Sequence, residues 1–196
     1  MLQAATELLA ERGWAATGMR DIANAAGVAV ETIYSSVGSK ADVLIAALDV
    51  AVVGDAHPVA LADRPEFAAL GRGTPAERAA AGARMLVEIQ RRTERLHLAL
   101  RDAAASDASL AARLRADELR RRHSVEQAAA LIVGRPVSDQ ERDGLWAVLG
   151  SEVYRLLTDI AGWTPDQYEA WIAEAVPRLV NAGGAPRAAA TTGRGS

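Results

Sequence analysis

The chain has 196 residues, half of them hydrophobic, with 25 acidic against 22 basic side chains and no cysteine. That length allows one large domain or two small ones; the missing cysteine excludes disulfides and thiolate metal sites. The formal charge of −3 excludes an all-over basic surface, so contact with nucleic acid must come from a small local patch. No apolar run is long enough to span a membrane and no signal peptide is visible, which predicts a cytoplasmic protein without membrane contact. Alanine dominates and aromatic residues make up only 4%, a bias that favours helices over sheets. The arginine excess over lysine looks like the product of a GC-rich genome and carries no functional meaning.

The elements expected along the chain are all helical. A first helix covers about 1–12 and stops at Gly13; short helices over about 19–26 and 29–36 flank Gly27. A fourth runs from Lys40 to about Val53. A Pro- and Gly-bearing connection, Gly54 to Gly73, holds a turn of helix near Glu66–Leu70. Long helices then cover about 75–104, 107–133, 139–161 and 165–181. Their starts are marked by Ser39…Asp42, Thr74…Glu77, Ser138…Glu141 and Thr164…Gln167, each a hydroxyl followed three residues on by an acid or amide that can reach back. Pro75 and Pro165 fall at the first helical position, where a missing N–H is harmless. Pro177 is expected to kink or fray the last helix near Ala173. From Gly183 the composition turns to Gly, Ala, Pro and Thr, which predicts a disordered tail over 183–196.

Three short helices with tight glycine-bearing turns form a candidate helix-turn-helix unit over about 18–37. Asp21 to Ala26 is its first helix, Gly27 closes the turn, and Val30 to Ser36 is the candidate recognition helix. Ile22, Ala23, Val28 and Ile33 are the apolar positions that would lock the pair together.

The stretch ATELLAERGWAATGMRDIANAAGVAVETIYSSVGSKADVLIAAL, Ala5 to Leu48, closely resembles the DNA-binding region of TetR-type bacterial transcriptional regulators. The landmarks are Leu8-Leu9, Arg12-Gly13-Trp14, Ala16-Thr17, Arg20-Asp21-Ile22-Ala23, Ala26-Gly27-Val28, Thr32-Ile33-Tyr34 and Ser39-Lys40. The resemblance implies a DNA-binding domain over 1–46 and a helical ligand-binding and dimerisation domain over 47–182. It also implies a homodimer that binds a palindromic double-stranded operator as a small-molecule-responsive repressor, with half-sites roughly 34–36 Å apart. A competing reading is a helical ligand-binding or interaction protein whose DNA affinity has degenerated.

Candidate DNA contacts are Thr17, Arg20, Val30, Glu31, Thr32, Tyr34, Ser35, Ser36 and Lys40. Thr32 and Tyr34 offer hydroxyls from the recognition helix, and Tyr34 can donate to a phosphate. Arg20 can hold a phosphate or pair with Asp21 or Glu31. Lys40, the single lysine of the chain, follows the Ser39 cap, where helix-end N–H groups favour an anion; a phosphate anchor is the reading there. Glu31 repels phosphate, although it can accept from a cytosine amine.

Several positions depart from the family pattern. Gly18 and Ala29 stand where relatives usually carry Ser or Thr, Ser35 and Ser36 where aromatic or His residues are usual, and Val37-Gly38 where Phe-Pro is. Residues 1–53 hold Arg12, Arg20 and Lys40 against Glu7, Glu11, Asp21, Glu31, Asp42 and Asp49, three minus six, or −3. The family usually has a basic extension before its first helix, whereas this chain begins inside that helix. Either the start lies upstream or affinity is modest, with a shallow salt dependence.

The regulatory region carries candidate pocket residues Met85, Ile89, Leu96, His97, Leu100, Leu119, His123 and Trp146. Glu118–Ser124, ELRRRHS, reads first as a solvated arginine face and second as a contact for an acidic effector. Three dispersed histidines have no metal-ligand spacing, no cofactor is implied, and no nucleophile elbow or phosphate loop points to an enzyme. Apolar stripes on the last two helices and their short join predict antiparallel packing. A dimer interface is expected from Leu149, Val153, Leu156, Tyr168, Trp171, Ile172 and Leu179 of each subunit.

Overall fold

A computed structural model describes residues 1–55, 57 and 59–182; the disorder expected over 183–196 falls outside the described residues. Among the described residues the regular elements are all helical. The N-terminal region holds α1 (Leu2–Arg12), α2 (Met19–Ala26), α3 (Val30–Ser36) and α4 (Lys40–Val53). The connection carries α5 (Pro65–Ala68) between two single 3-10 turns. There follow α6 (Pro75–Ala104), α7 (Ala108–Val133), α8 (Asp139–Val148), α9 (Ser151–Arg155) and α10 (Pro165–Ala182).

Side-chain chemistry sets these boundaries. The hydroxyls of Ser39, Thr74, Ser138 and Thr164 accept from the backbone N–H of Asp42, Glu77, Glu141 and Gln167. Each of those side chains in turn accepts from the N–H of its capping residue. Two further caps lack that sequence signature. Asp21 accepts from the N–H of Gly18 at 2.8 Å, so α2 is capped despite the missing hydroxyl. Asp107 accepts from Ser109 and Leu110 at the start of α7. Asp55 binds both terminal nitrogens of Arg64, at 2.7 and 2.9 Å, and so closes the connection after α4.

The stretch expected as one helix over 139–161 is broken. α8 ends at Val148 with Leu149 as its cap, and Gly150 turns extended (φ −74°, ψ 156°) to open α9. From Leu156 to Ile160 the chain winds as a π-helical turn. The break is stabilised from outside. The Leu149 carbonyl accepts from Gln90 of α6 at 3.0 Å, and the Trp146 carbonyl from Arg121 of α7 at 2.9 Å. Helix-end carbonyls freed from an intrahelical ladder need such donors. Pro177, by contrast, does not stop α10, which continues to Ala182. Tyr168, Ile172, Val176 and Val180, spaced four apart, are all buried, and this stripe holds the helix across the proline.

α6 is 30 residues long, or about 45 Å, and serves two cores. Its first half joins Ala83 and Val87 to Ala129, Leu145, Tyr154 and the buried face of α10. Its second half puts Leu96, Ala99, Leu100 and Ala103 into one cluster with Ala5, Leu9, Ile22, Ile33, Leu44 and Leu48. The division at residue 46 therefore cuts through a shared core. Arg92 strengthens the joint by donating to the Ala51 carbonyl at 2.9 Å, and Arg113 of α7 pairs with Asp49 of α4 at 2.5 Å.

Candidate functional site

α2 and α3 meet through Gly27, whose left-handed conformation (φ 66°, ψ 31°) suits glycine. Ile22, Ala23 and Ile33 lock the pair, with at most 1% exposure. Val28, expected beside them, is 37% exposed. It sits just beyond the turn, where its N–H bonds back to the Ala23 carbonyl while its side chain stays at the surface.

With Ile33 inward, α3 presents Glu31, Thr32, Tyr34, Ser35 and Ser36 outward. Tyr34 is 54% exposed. The Ser35 and Ser36 hydroxyls donate to the Thr32 carbonyl, at 3.1 and 2.6 Å. Their protons are thus spent on their own helix, leaving oxygens that accept. Val30 is half-buried and packs on the core. Arg20 is exposed at the start of α2. Thr17 does not belong with this face. It is 1% exposed, and its hydroxyl reaches the carbonyls of Leu8 and Gly13, at 3.2 and 2.8 Å. It fastens the end of α1 to the turn before α2 and has no path to DNA.

Lys40 has a partner that its sequence position does not reveal. Its ammonium donates to the Trp14 carbonyl and lies 3.9 Å from the centre of the Trp14 ring. Partial burial lowers its pKa, while the charge of Asp21 acts the other way. Lys40 thus ties α4 to the end of α1. An ammonium has three donors, so hydrogen-bonding capacity remains. Lys40→Met is expected to cost about 1 kcal/mol of stability without DNA, from the lost cation–π contact and hydrogen bond. If the same ammonium also serves a phosphate, the variant lowers the salt slope of DNA binding by about one per subunit. Urea melts and salt-dependent gel shifts separate the two roles.

The candidate pocket residues do not converge. Leu96 and Leu100 are fully buried in the core shared with the N-terminal helices. Met85 packs near Phe67 and Leu70. Leu119 is 57% exposed, and His123 lies outward with Glu126 3.6 Å away. Ile89 is half-buried on α6. Trp146 alone of the set lines an open cavity of about 360 Å³, together with Arg101, Leu114, Glu118, Arg121, Ala147 and Glu152. The α8–α9 break makes this space, since Trp146, Ala147 and Glu152 flank it.

The cavity wall is a web of charge. Glu118 Oε2 accepts from Arg121 Nη2 at 2.9 Å and from the Trp146 indole at 3.1 Å. Arg101 pairs with Glu152 and lies 3.7 Å from Glu118. Leu114, Glu118 and Arg121 share a face of α7 at i, i+4 and i+7, the signal that could have singled them out.

His97, on α6, feels the charges of Glu118, Arg101, Arg121 and Glu152. Its Nδ1 is buried without a partner. Burial is the main cause holding its pKa down at about 4, against an ordinary 6.5. The unfolded chain therefore takes up a proton first as pH falls. The neutral ring's contribution is complete above pH 6.5 and is lost between there and about 4. Wild type should lose about 1–2 kcal/mol more than His97→Gln between pH 7 and pH 5 in urea melts.

The expected dimer residues also divide. Tyr168 and Ile172 are buried inside the monomer, Tyr168 edge-on to Tyr154 at 5.0 Å, and cannot meet a partner. Leu149, Val153, Trp171 and Leu179 are half-buried, and Leu156 is 52% exposed. Ile160, at the end of the π-helical turn, is 71% exposed. Among the described residues no helix is long and apolar enough to cross a membrane, and no group of three or more His, Asp or Glu could hold a metal ion.

Residues 1–47 match the family described as bacterial regulatory proteins, tetR family. No curated protein matches the sequence. A solved structure of a transcriptional regulator from Rhodococcus sp. Rha1 has a TM-score of 0.63 to this chain at 18% identity, covering 92% of this chain and 94% of its own. That likeness extends the shared fold over nearly the whole length. The helix-turn-helix geometry and the family match coincide over the same residues, so the N-terminal region, residues 1–47, is a helix-turn-helix region of the TetR type.

Proposed function

We propose that the protein is a small-molecule-responsive repressor that binds a palindromic operator as a homodimer. The observation that carries this reading is the packed joint between α4 and α6. The two helices share the core around Leu44 and Leu100, and Arg92 clamps the end of α4. Arg101, one residue beyond Leu100, lines the cavity. In this reading a change there reaches the N-terminal helices through α6. A ligand shifts DNA affinity in this way only if it binds the two arrangements differently.

In this reading Thr32, Tyr34, Glu31 and Arg20 contact the operator from α3 and the start of α2, with Lys40 as a secondary phosphate contact. The dimer forms through the exposed apolar side chains of α9 and its π-helical turn, Leu156 and Ile160, flanked by the half-buried Val153, Trp171 and Leu179. The setting is the cytoplasm, and no catalytic role is assigned.

A gel shift against DNA flanking the protein's own gene, at low and moderate salt, tests the reading. A retarded band of dimer stoichiometry, weakening with salt, is expected. A second reading, a helical ligand-binding protein with vestigial DNA affinity, is favoured by the exposed Glu31 and by the engagement of Lys40 with Trp14. No retardation at low salt would establish it in place of the repressor.

A further inference from the structure

The polar inventory of the α6–α9 cavity is unequal. Glu118 is saturated on one oxygen, which accepts from Arg121 Nε and Nη2 and from the Trp146 indole. Arg121 is fixed as well. Its Nη1 is held by the Trp146 carbonyl, and its guanidinium lies 5.5 Å from the Trp146 ring centre. Arg101 differs, since its two contacts, to Glu152 and Glu118, both use Nη2. A guanidinium has five donors in a planar fork, so the spare capacity here is donor capacity on a cation that cannot be neutralised. The counter-ion that occupies it, Glu152, has a side chain 49% exposed, against 27% for Glu118. Glu152 also stands in the first turn of α9, where a carboxylate is favoured by the helix end even without Arg101. It can leave Arg101 for water at little cost. The remaining wall is apolar and flat: Leu114, Ala147 and the Trp146 ring.

We propose that this cavity binds a small aromatic carboxylate, whose carboxyl group takes the Arg101 fork in exchange for Glu152 while its ring lies against Trp146 and Leu114. The inference rests on reading this cavity as the effector site and adds the chemical class of the effector. A cationic ligand fits less well, because it meets the guanidiniums of Arg101 and Arg121 and finds the better carboxylate, Glu118, already committed. A neutral ligand leaves the Arg101 fork without the charge-assisted pair that it is arranged to make. The exchange also supplies a motion. Release of Glu152 removes one tie between α6 and α9, which is continuous with the π-helical turn bearing Leu156 and Ile160, while Arg95 of α6 still pairs with Asp159 of that turn.

Isothermal titration calorimetry on the full chain tests this with 2-naphthoate, 2-naphthamide and 2-naphthylmethylammonium as isosteric probes. The acid should bind, with the amide and the ammonium each about tenfold weaker or worse. Arg101→Gln should abolish the preference for the acid. Glu152→Gln, which removes the competing carboxylate, should tighten 2-naphthoate severalfold, a gain that a merely structural role for Glu152 would not give. Glu152 is exposed and at a helix start, so this variant keeps the inference falsifiable if Arg101→Gln fails to fold. Equal binding of all three probes, preference for the ammonium, no binding of the acid at millimolar concentration, or an unchanged affinity in Glu152→Gln each overturns it. Retarded operator DNA is scored separately. If 2-naphthoate binds but leaves the DNA complex intact, the effector reading fails and the ligand class stands. If the complex is released only by ligands lacking a carboxylate, the ligand class fails and the repressor stands.

Discussion

Replacing Tyr34 with alanine is expected to lower operator affinity roughly ten- to a hundredfold without unfolding the protein. The phenol is 54% exposed on the outer face of α3, opposite the fully buried Ile33. Its removal takes nothing from the core, and a surface change of this kind usually alters stability by no more than about 0.5 kcal/mol. The loss at DNA has two parts. In the proposed complex a hydrogen bond to a charged phosphate would contribute about 1.5–3 kcal/mol, and the ring would cover sugar-phosphate surface. Tyr34→Phe removes only the first, so it should fall between wild type and alanine. Quantitative gel shifts on the operator and on an unrelated duplex measure both variants. Loss of a phosphate contact weakens binding to the two duplexes alike. If Tyr34→Ala retards operator DNA as well as wild type does, α3 does not bind through this face.

Leu100→Ala should cost about 2–5 kcal/mol, the usual range for emptying a fully buried leucine site, and should destabilise the N-terminal helices together with the long ones. Leu100 stands on α6 but packs with Leu9, Ile33 and Leu44. Leu145→Ala empties an equally buried site in the second core, among Val87, Tyr168 and Ile172. If the two cores fold as one unit, both variants shift one denaturation curve seen alike by far-ultraviolet circular dichroism and by tryptophan fluorescence. Trp14 reports on the N-terminal core, while Trp163 and Trp171 report on the second. Two separated transitions, with Leu100→Ala moving only one of them, would show that the N-terminal helices fold by themselves.

The sequence revealed what is local. The four hydroxyl-led caps depend on residues three apart, and each forms the reciprocal bonds expected of it. The order of α1 to α4 and the turn at Gly27 likewise follow from neighbouring residues. The break at Gly150 was hidden because Leu145, Leu149, Val153 and Leu156 keep helical spacing straight through it, while the groups that stabilise it, Gln90 and Arg121, belong to other helices. The pocket was hidden for a related reason. α6 touches several partners, so neighbouring side chains face different ways: Leu96 and Leu100 turn to the N-terminal core, Arg101 to the cavity. No single stripe can mark such a helix. Thr17 misled in the opposite direction. Its place next to the helix-turn-helix suggests contact with DNA, but its hydroxyl has two nearby carbonyls to bind.

The excess of three negative charges over residues 1–53 bears on how the protein would find its site. Affinity for arbitrary duplex comes almost wholly from neutralised phosphates, and this N-terminal region has few cations with which to neutralise them. Genomic decoys would therefore hold few molecules, and sliding along DNA would be brief. Such a regulator searches mainly through free solution, arrives more slowly than a basic one, and keeps most of its copies available. Discrimination depends on the ratio of operator to background affinity. A weak grip on every other sequence thus lets a modest grip on the right one suffice.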